Sequence, residues 1–337
     1  MRLVTFQAES GPRHGVLSED GERVIDLLAA LRQHEARAGR ATDEQSVGRR
    51  YGHDMIGLIE RADEALPIVR ALLAQEAGGE LPGEAVRALS TVRLLAPIPR
   101  PVSMRDGYAF RQHVEAARRN RGLPMIPEFD QFPVFYYTNH LSVVGPGPVP
   151  VLPRHLDRLD FELEAAVVIG RRGRNLDVAA ADAAIFGLMV MNDWSARGLQ
   201  MEEMKLNLGP AKGKDFATSL GPYLVPREDL GPALRVTPRG TQFALGMRCE
   251  VNGTEVSRGR LDEMSWTFAE IIARASYGTT LYPGEVIGSG TVGTGCFLEL
   301  NGARVDQGRW LQPGDRVVCE IEHLGRLENV VVLEEAV

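Results

Sequence analysis

The chain has 337 residues, 44% of them hydrophobic and 25% charged, which is ample for a buried core in one large domain with an appendage, or in two domains. Its 45 acidic residues outnumber 38 basic ones, for a net charge of −7, which argues against a general nucleic-acid or anionic-membrane surface. No apolar run approaches the roughly 20 residues of a membrane span, MRLVTFQAES lacks a signal-peptide pattern, and three cysteines without a CxxC pair suit a reducing cytosol. The expectation is a cytoplasmic enzyme.

Residues 2–30 read as two short strands around Asp20-Gly21 followed by a helical start. Residues 42–77 carry helical spacing, with Met55, Leu58 and Ile59 and then Leu66, Val69, Leu72 and Leu73 on one side. The Gly/Pro-punctuated stretch that follows, with alternating Pro97, Pro99 and Pro101, favours an extended connection. It divides the chain into an N-terminal α/β domain over 1–80, a linker over 81–102 and a larger domain over 103–337.

Beyond residue 103 strands and turns dominate. Asn252-Gly253 and Asn301-Gly302 are hairpin signals, and the Pro-Gly pairs of LYPGEVI and LQPGDRVV each lead into a buried strand. Thr267 and Glu270 form a capping-box pattern, opening a helix with Phe268, Ile271, Ile272 and Ala275 on its apolar face. There is no alternation of βαβ units, so the fold class is α+β, strand-dominated.

Four carboxylates stand out. Glu162 and Glu164 in DFELEAAVVIG are two apart, so a strand puts both on one face and Phe161, Leu163 and Ala165 on the other. Two carboxylates at the mouth of a buried strand repel each other unless a cation compensates, whereas on an edge strand they would be a solvated face. Asp193 ends the apolar strand Gly187–Met191 where a helix begins at Trp194, a position suited to a metal ligand or to an ordinary N-cap. If Asp106 caps a helix starting at Gly107, Asp106 and His113 share a face, as a ligand beside a general base or as a cap and a surface histidine. An all-oxygen donor set favours Mg²⁺, Mn²⁺ or Ca²⁺ over zinc or copper.

Asp106-x6-His113, Glu162-x-Glu164, Asn192-Asp193-Trp194-Ser195-Ala196-Arg197, Gly213-Lys214 and Gly290-Thr291 occur in an order and spacing, over residues 103–323, that resemble the fumarylacetoacetate hydrolase family. The resemblance implies a mixed β-sandwich roll, a homodimer and a divalent cation, most often Mg²⁺, held by Asp106, Glu162, Glu164 and Asp193. It implies His113 as a water-activating base oriented by Glu299, and Lys214, Gln200 and Arg197 as the group that stabilises developing negative charge. Thr291 and Tyr136 match substrate contacts, with spacing from Pro133 favouring Tyr136 over Tyr137. The substrate-binding arginine falls at Arg119 or Arg121.

Two positions depart from the family pattern. Gly198 replaces an acid after Ser-Ala-Arg, which would loosen the support of Arg197, and Met204 replaces a substrate-contacting tyrosine. The activity implied first is hydrolysis of a C–C bond in a 1,3-diketo acid of fumarylacetoacetate or acylpyruvate type. Decarboxylation, tautomerisation or dehydration of 2-keto acids on the same site comes second, because those reactions do not need a water-activating His–Glu pair. A catalytically idle, metal-stabilised scaffold is the third reading.

Overall fold

The computed structural model describes residues 1–81, 83–120, 122–302 and 308–334. Its centre is the strand Leu163–Ile169, hydrogen-bonded on one side to Ile185–Asp193 and on the other to Val286–Gly288, antiparallel in both cases. A run of β-branched and small apolar residues with period two can be buried on both faces, and every residue of this strand is buried. Leu163, Ala165, Val167 and Ile169 face a five-stranded second sheet and pack with Met247, Cys249, Val317, Cys319 and Leu327. Ala166 and Val168 face the other way, into a core shared with Leu28, Leu31, Leu58 and Val69 of the N-terminal helices. The result is a β-sandwich with a helical layer on its outer side. Glu162 and Glu164 continue the face that this layer covers.

The N-terminal region opens with three strands, Leu3–Ala8, Gly11–Leu17 and Arg23–Asp26, where two were expected. Leu3 pairs with Leu224 of Thr218–Pro226, so these strands extend the twelve-stranded sheet that carries the site. The stretch expected to be a linker instead contributes Val86–Ala88, paired with Arg23–Asp26, and Arg93–Leu95, paired with Leu3–Ala8. Pairing to an existing edge satisfies backbone groups that a free connection would leave to water.

The Asn252-Gly253 hairpin joins Gly246–Val251 to Thr254–Arg260, and Thr267 caps Phe268–Ser276 with Glu270 reciprocating. Asn301-Gly302 is not a hairpin: it ends the short helix Phe297–Asn301, with Gly302 at φ 56° in the left-handed region. Among the described residues, no helix is long and apolar enough to cross a membrane.

Candidate metal centre and acid–base site

Three strands deliver the acidic cluster. Asp106 lies in Met104–Gly107, which runs parallel to Val286–Gly288, so it does not cap a helix at Gly107. Strand pairing takes residues 104–107, and the helix starts later, at Arg111, carrying His113 on its buried side. Asp193 likewise ends a strand and caps nothing: the next helix starts at Arg197, and Trp194 is buried with its indole N–H donating to Ser219 Oγ at 2.8 Å. Glu162 and Glu164 stand on one face, as period two requires. Asp106, Glu162, Glu164 and Asp193 each bring a carboxylate oxygen within 4.8 Å of the others, and all four are buried.

Two buried cations partly compensate this charge. Lys214 Nζ donates to Asp193 Oδ2 at 2.7 Å and to Glu162 Oε2, and Arg197 Nη2 donates to Glu162 Oε1 at 2.6 Å. The ammonium and guanidinium hold the Glu162 carboxyl well below the usual carboxylate range, against burial. Asp106 and Glu164 lack such partners. Burial and the neighbouring Asp193 charge push Asp106 up to about 7, and burial with the Asp106 and Glu162 charges pushes Glu164 well above the usual carboxylate range. Glu164 Oε2 is buried without a hydrogen-bond partner. An orphaned oxygen in an all-carboxylate pocket with too little positive charge fits a hard divalent cation.

Glycines permit the close approach. A Cβ on Gly213 would lie 2.7 Å from the Gln200 backbone nitrogen, so only glycine lets the loop before Lys214 lie against the helix Arg197–Met204. Gly290 has φ +77°, its N–H donates to Asp106 Oδ1 at 3.1 Å, and a Cβ there would meet Gly107 O at 2.7 Å.

His113 and Glu299 form a pair, Nδ1 to Oε2 at 2.9 Å, with both side chains only 7% exposed. Glu299 reaches His113 from the short helix Phe297–Asn301. Among the remaining expected residues, Gln200 Oε1 accepts from Arg197 Nη1 at 2.9 Å, and Thr291 Oγ1 donates to Glu164 Oε1 at 3.2 Å. The Tyr136 hydroxyl lies 3.2 Å from Asp106 Oδ2 and against Asp193 Oδ2, so it touches the carboxylates themselves. Tyr137 is 65% exposed and stacks on the Arg105 guanidinium.

Arg119 is exposed on the last residue of the helix Arg111–Arg119, and no contact joins it to the cluster; Arg121 lies outside the described residues. Gly198 does not loosen Arg197. The arginine is 2% exposed and its Nε donates to Asp160 Oδ2 at 2.9 Å, while a Cβ at Gly198 would lie 2.3 Å from Asp157 Oδ2.

Asp160 escaped sequence reasoning. It is fully buried, and besides Arg197 it accepts from the Phe297 N–H at 2.7 Å and the Leu298 N–H at 3.0 Å, thereby fixing the helix that presents Glu299. The signal was present: the period-two rule that groups Glu162 with Glu164 reaches back to Asp160.

A two-sheet sandwich whose strand ends gather four buried carboxylates beside a His–Glu pair is an arrangement that could hold a hard divalent cation next to an acid–base group. Residues 103–332 match the model of the fumarylacetoacetate (FAA) hydrolase C-terminal domain, and the chain belongs to that family. It is 32% identical over 336 residues to a mitochondrial oxaloacetate tautomerase of Bos taurus, covering 98% of this chain and 92% of the relative. A human mitochondrial oxaloacetate tautomerase is 31% identical over the same shares. Among solved structures, a fumarylacetoacetate hydrolase from psychrophilic Exiguobacterium antarcticum superposes with a TM-score of 0.69 at 24% identity, covering 99% of this chain and all of that one. A fumarylpyruvate hydrolase from Pseudomonas aeruginosa, in complex with Mn²⁺ and pyruvate, gives 0.56 at 23% identity over 72% of this chain and 92% of that one.

Proposed function

We propose that this protein is a divalent-cation-dependent enzyme that enolises a small 2-keto acid of the oxaloacetate type, interconverting its keto and enol forms. The observation that carries the reading is the placement of the His113–Glu299 pair against the carboxylate cluster: His113 has a ring nitrogen within 4.8 Å of a Glu162 oxygen. The full-length likeness to two proteins named oxaloacetate tautomerases supports this substrate class. When held by Asp106, Glu162, Glu164 and Asp193, a cation such as Mg²⁺ or Mn²⁺ supplies Lewis acidity to neighbouring oxygens of the substrate.

The chain's own residues do the proton work. Glu299 holds the Nδ1 side of His113, leaving Nε2 to take a proton from the carbon next to the keto group and return it. Lys214 and Arg197, both buried, stay charged and offset part of the enolate charge. Gln200 keeps Arg197 directed at Glu162.

Hydrolysis of a C–C bond in a diketo acid is the second reading, favoured by the same dyad. A histidine that removes a proton from carbon also removes one from water, so its presence does not separate the two reactions as the sequence alone suggested. A panel of oxaloacetate and acylpyruvates, offered to metal-stripped and Mg²⁺- or Mn²⁺-reloaded protein with products identified by NMR, tests the reading. Metal-dependent tautomer exchange of oxaloacetate supports it. Two acid or ketone fragments from an acylpyruvate, with no acceleration of oxaloacetate exchange, replaces it with the hydrolase. The reading extends to a homodimer, supported by the exposed Leu141, Leu206 and Leu208 and checked by sedimentation.

A further inference from the structure

We propose that His113, Glu162 and Cys296 form a second, softer metal site beside the four-carboxylate centre, one that takes Zn²⁺ and silences the enzyme by engaging the imidazole. One ligand atom from each of the three lies within 4.8 Å of the others, and all three residues are buried. The donors are a nitrogen, an oxygen and a sulfur. That set suits Zn²⁺ and its relatives, whereas the four carboxylates suit a hard cation.

Three features make this more than proximity. Glu299 binds Nδ1 of His113, which leaves Nε2 as the free donor, the carboxylate–histidine arrangement that orients imidazole ligands on zinc. Glu162 uses one lone pair of each oxygen on Arg197 and Lys214 and keeps others. Finally, among the described residues Asp106, Asp160, Glu162, Glu164, Asp193 and Glu299 are joined by two buried cations, Lys214 and Arg197, so charge remains for a second dication after the first.

Tetrahedral zinc places its N, O and S donors roughly 3.3–3.5 Å apart. From the 4.8 Å bound the donors therefore close by up to about 1.5 Å, through a rotation of the Cys296 thiol and a turn of the imidazole. On binding, the thiol loses its proton to buffer and the sulfur bonds to the metal; no electron is transferred. The site stands on geometry alone, while the silencing rests on His113 acting as the base proposed above.

Cobalt(II) reports the bond directly, because sulfur-to-cobalt charge transfer absorbs in the near ultraviolet and carboxylate-bound cobalt does not. Protein saturated with Mg²⁺ is titrated with Co²⁺ as wild type, Cys296→Ser, His113→Gln and Cys249→Ser. The last controls for the buried Cys249–Cys319 pair, whose sulfurs are 4.0 Å apart. The band is expected in wild type and in Cys249→Ser, lost in Cys296→Ser, and at least tenfold weaker in cobalt affinity in His113→Gln. No band in wild type, or a band that survives Cys296→Ser, overturns the site. In parallel, Zn²⁺ is expected to inhibit oxaloacetate tautomerisation at least tenfold more strongly in wild type than in Cys296→Ser, each relative to its own uninhibited rate. A cysteine-dependent band with no such difference overturns the silencing and the base role of His113 together, and leaves the site standing.

Discussion

His113 Nδ1 and Glu299 Oε2 lie 2.9 Å apart although 186 residues separate them in the chain. One is carried by the helix Arg111–Arg119 and the other by the short helix Phe297–Asn301. A buried imidazole held this way has a fixed orientation and presents its far nitrogen to the site. Replacing His113 with Ala is expected to lower kcat by about 10²–10⁴-fold. Glu299→Gln, which keeps a hydrogen bond but not the charge, is expected to cost less. Steady-state rates on oxaloacetate check both, and equal losses would mean that Glu299 does more than orient.

Asp160 joins two parts of the site through one carboxylate, accepting from Arg197 Nε at 2.9 Å and from the first two amides of the Glu299 helix. Removing one partner of a buried ion pair leaves the other uncompensated, a loss of about 3–5 kcal/mol. Asp160→Ala is expected to lose that much in urea unfolding. Asp160→Asn, which still offers an oxygen to the Phe297 and Leu298 amides, is expected to keep part of it. A loss below about 1 kcal/mol in Asp160→Ala would show that the helix and Arg197 are secured elsewhere.

Metal-stripped protein is expected to lose stability as pH rises. Asp106 is pushed up to about 7 by burial and the Asp193 charge, while in the unfolded chain it titrates near 4. Between those values the folded state binds the extra proton, so stability is greatest at the acid end of the window and falls toward pH 7. Mg²⁺ takes the place of that proton, so the gain in melting temperature on adding Mg²⁺ should grow from pH 5 to pH 8. A gain independent of pH would place the ion outside this cluster.

His14 gives the opposite slope, far from the site. It is 1% exposed, neither ring nitrogen has a hydrogen-bond partner, and burial lowers its pKa to about 4 against the pull of Asp26 and Asp54. The unfolded histidine binds its proton near pH 6.5, so stability present above that value is lost as pH falls toward 4, by on the order of 3 kcal/mol. His14→Phe is expected to flatten that limb of the stability profile. An unchanged slope would assign it to other groups.

The sequence was most legible where local chemistry and tertiary structure agree. Thr267 and Glu270 cap the helix they were expected to cap, Asn252-Gly253 turns a hairpin, and period two groups Glu162 with Glu164. It was misleading where pairing overrides local preference. Asp106 and Asp193 both look like helix caps, yet strand partners at Val286–Gly288 and Thr218–Pro226 hold them extended. Asn301-Gly302 ends a helix because Asp160 anchors the amides at the other end of that helix. The Pro-rich stretch reads as a free connection only until the edge of the N-terminal sheet is seen beside it, and no local pattern shows that edge.

The most direct measurement is the rate of oxaloacetate enol-to-keto conversion, followed by ultraviolet absorbance, for metal-stripped and Mg²⁺-reloaded wild type and for Mg²⁺-reloaded His113→Ala of verified fold. The expected result is acceleration that appears with Mg²⁺ and falls at least a hundredfold in His113→Ala. Acceleration that persists without metal, or that His113→Ala retains, would contradict the pairing of a carboxylate-held cation with a histidine base.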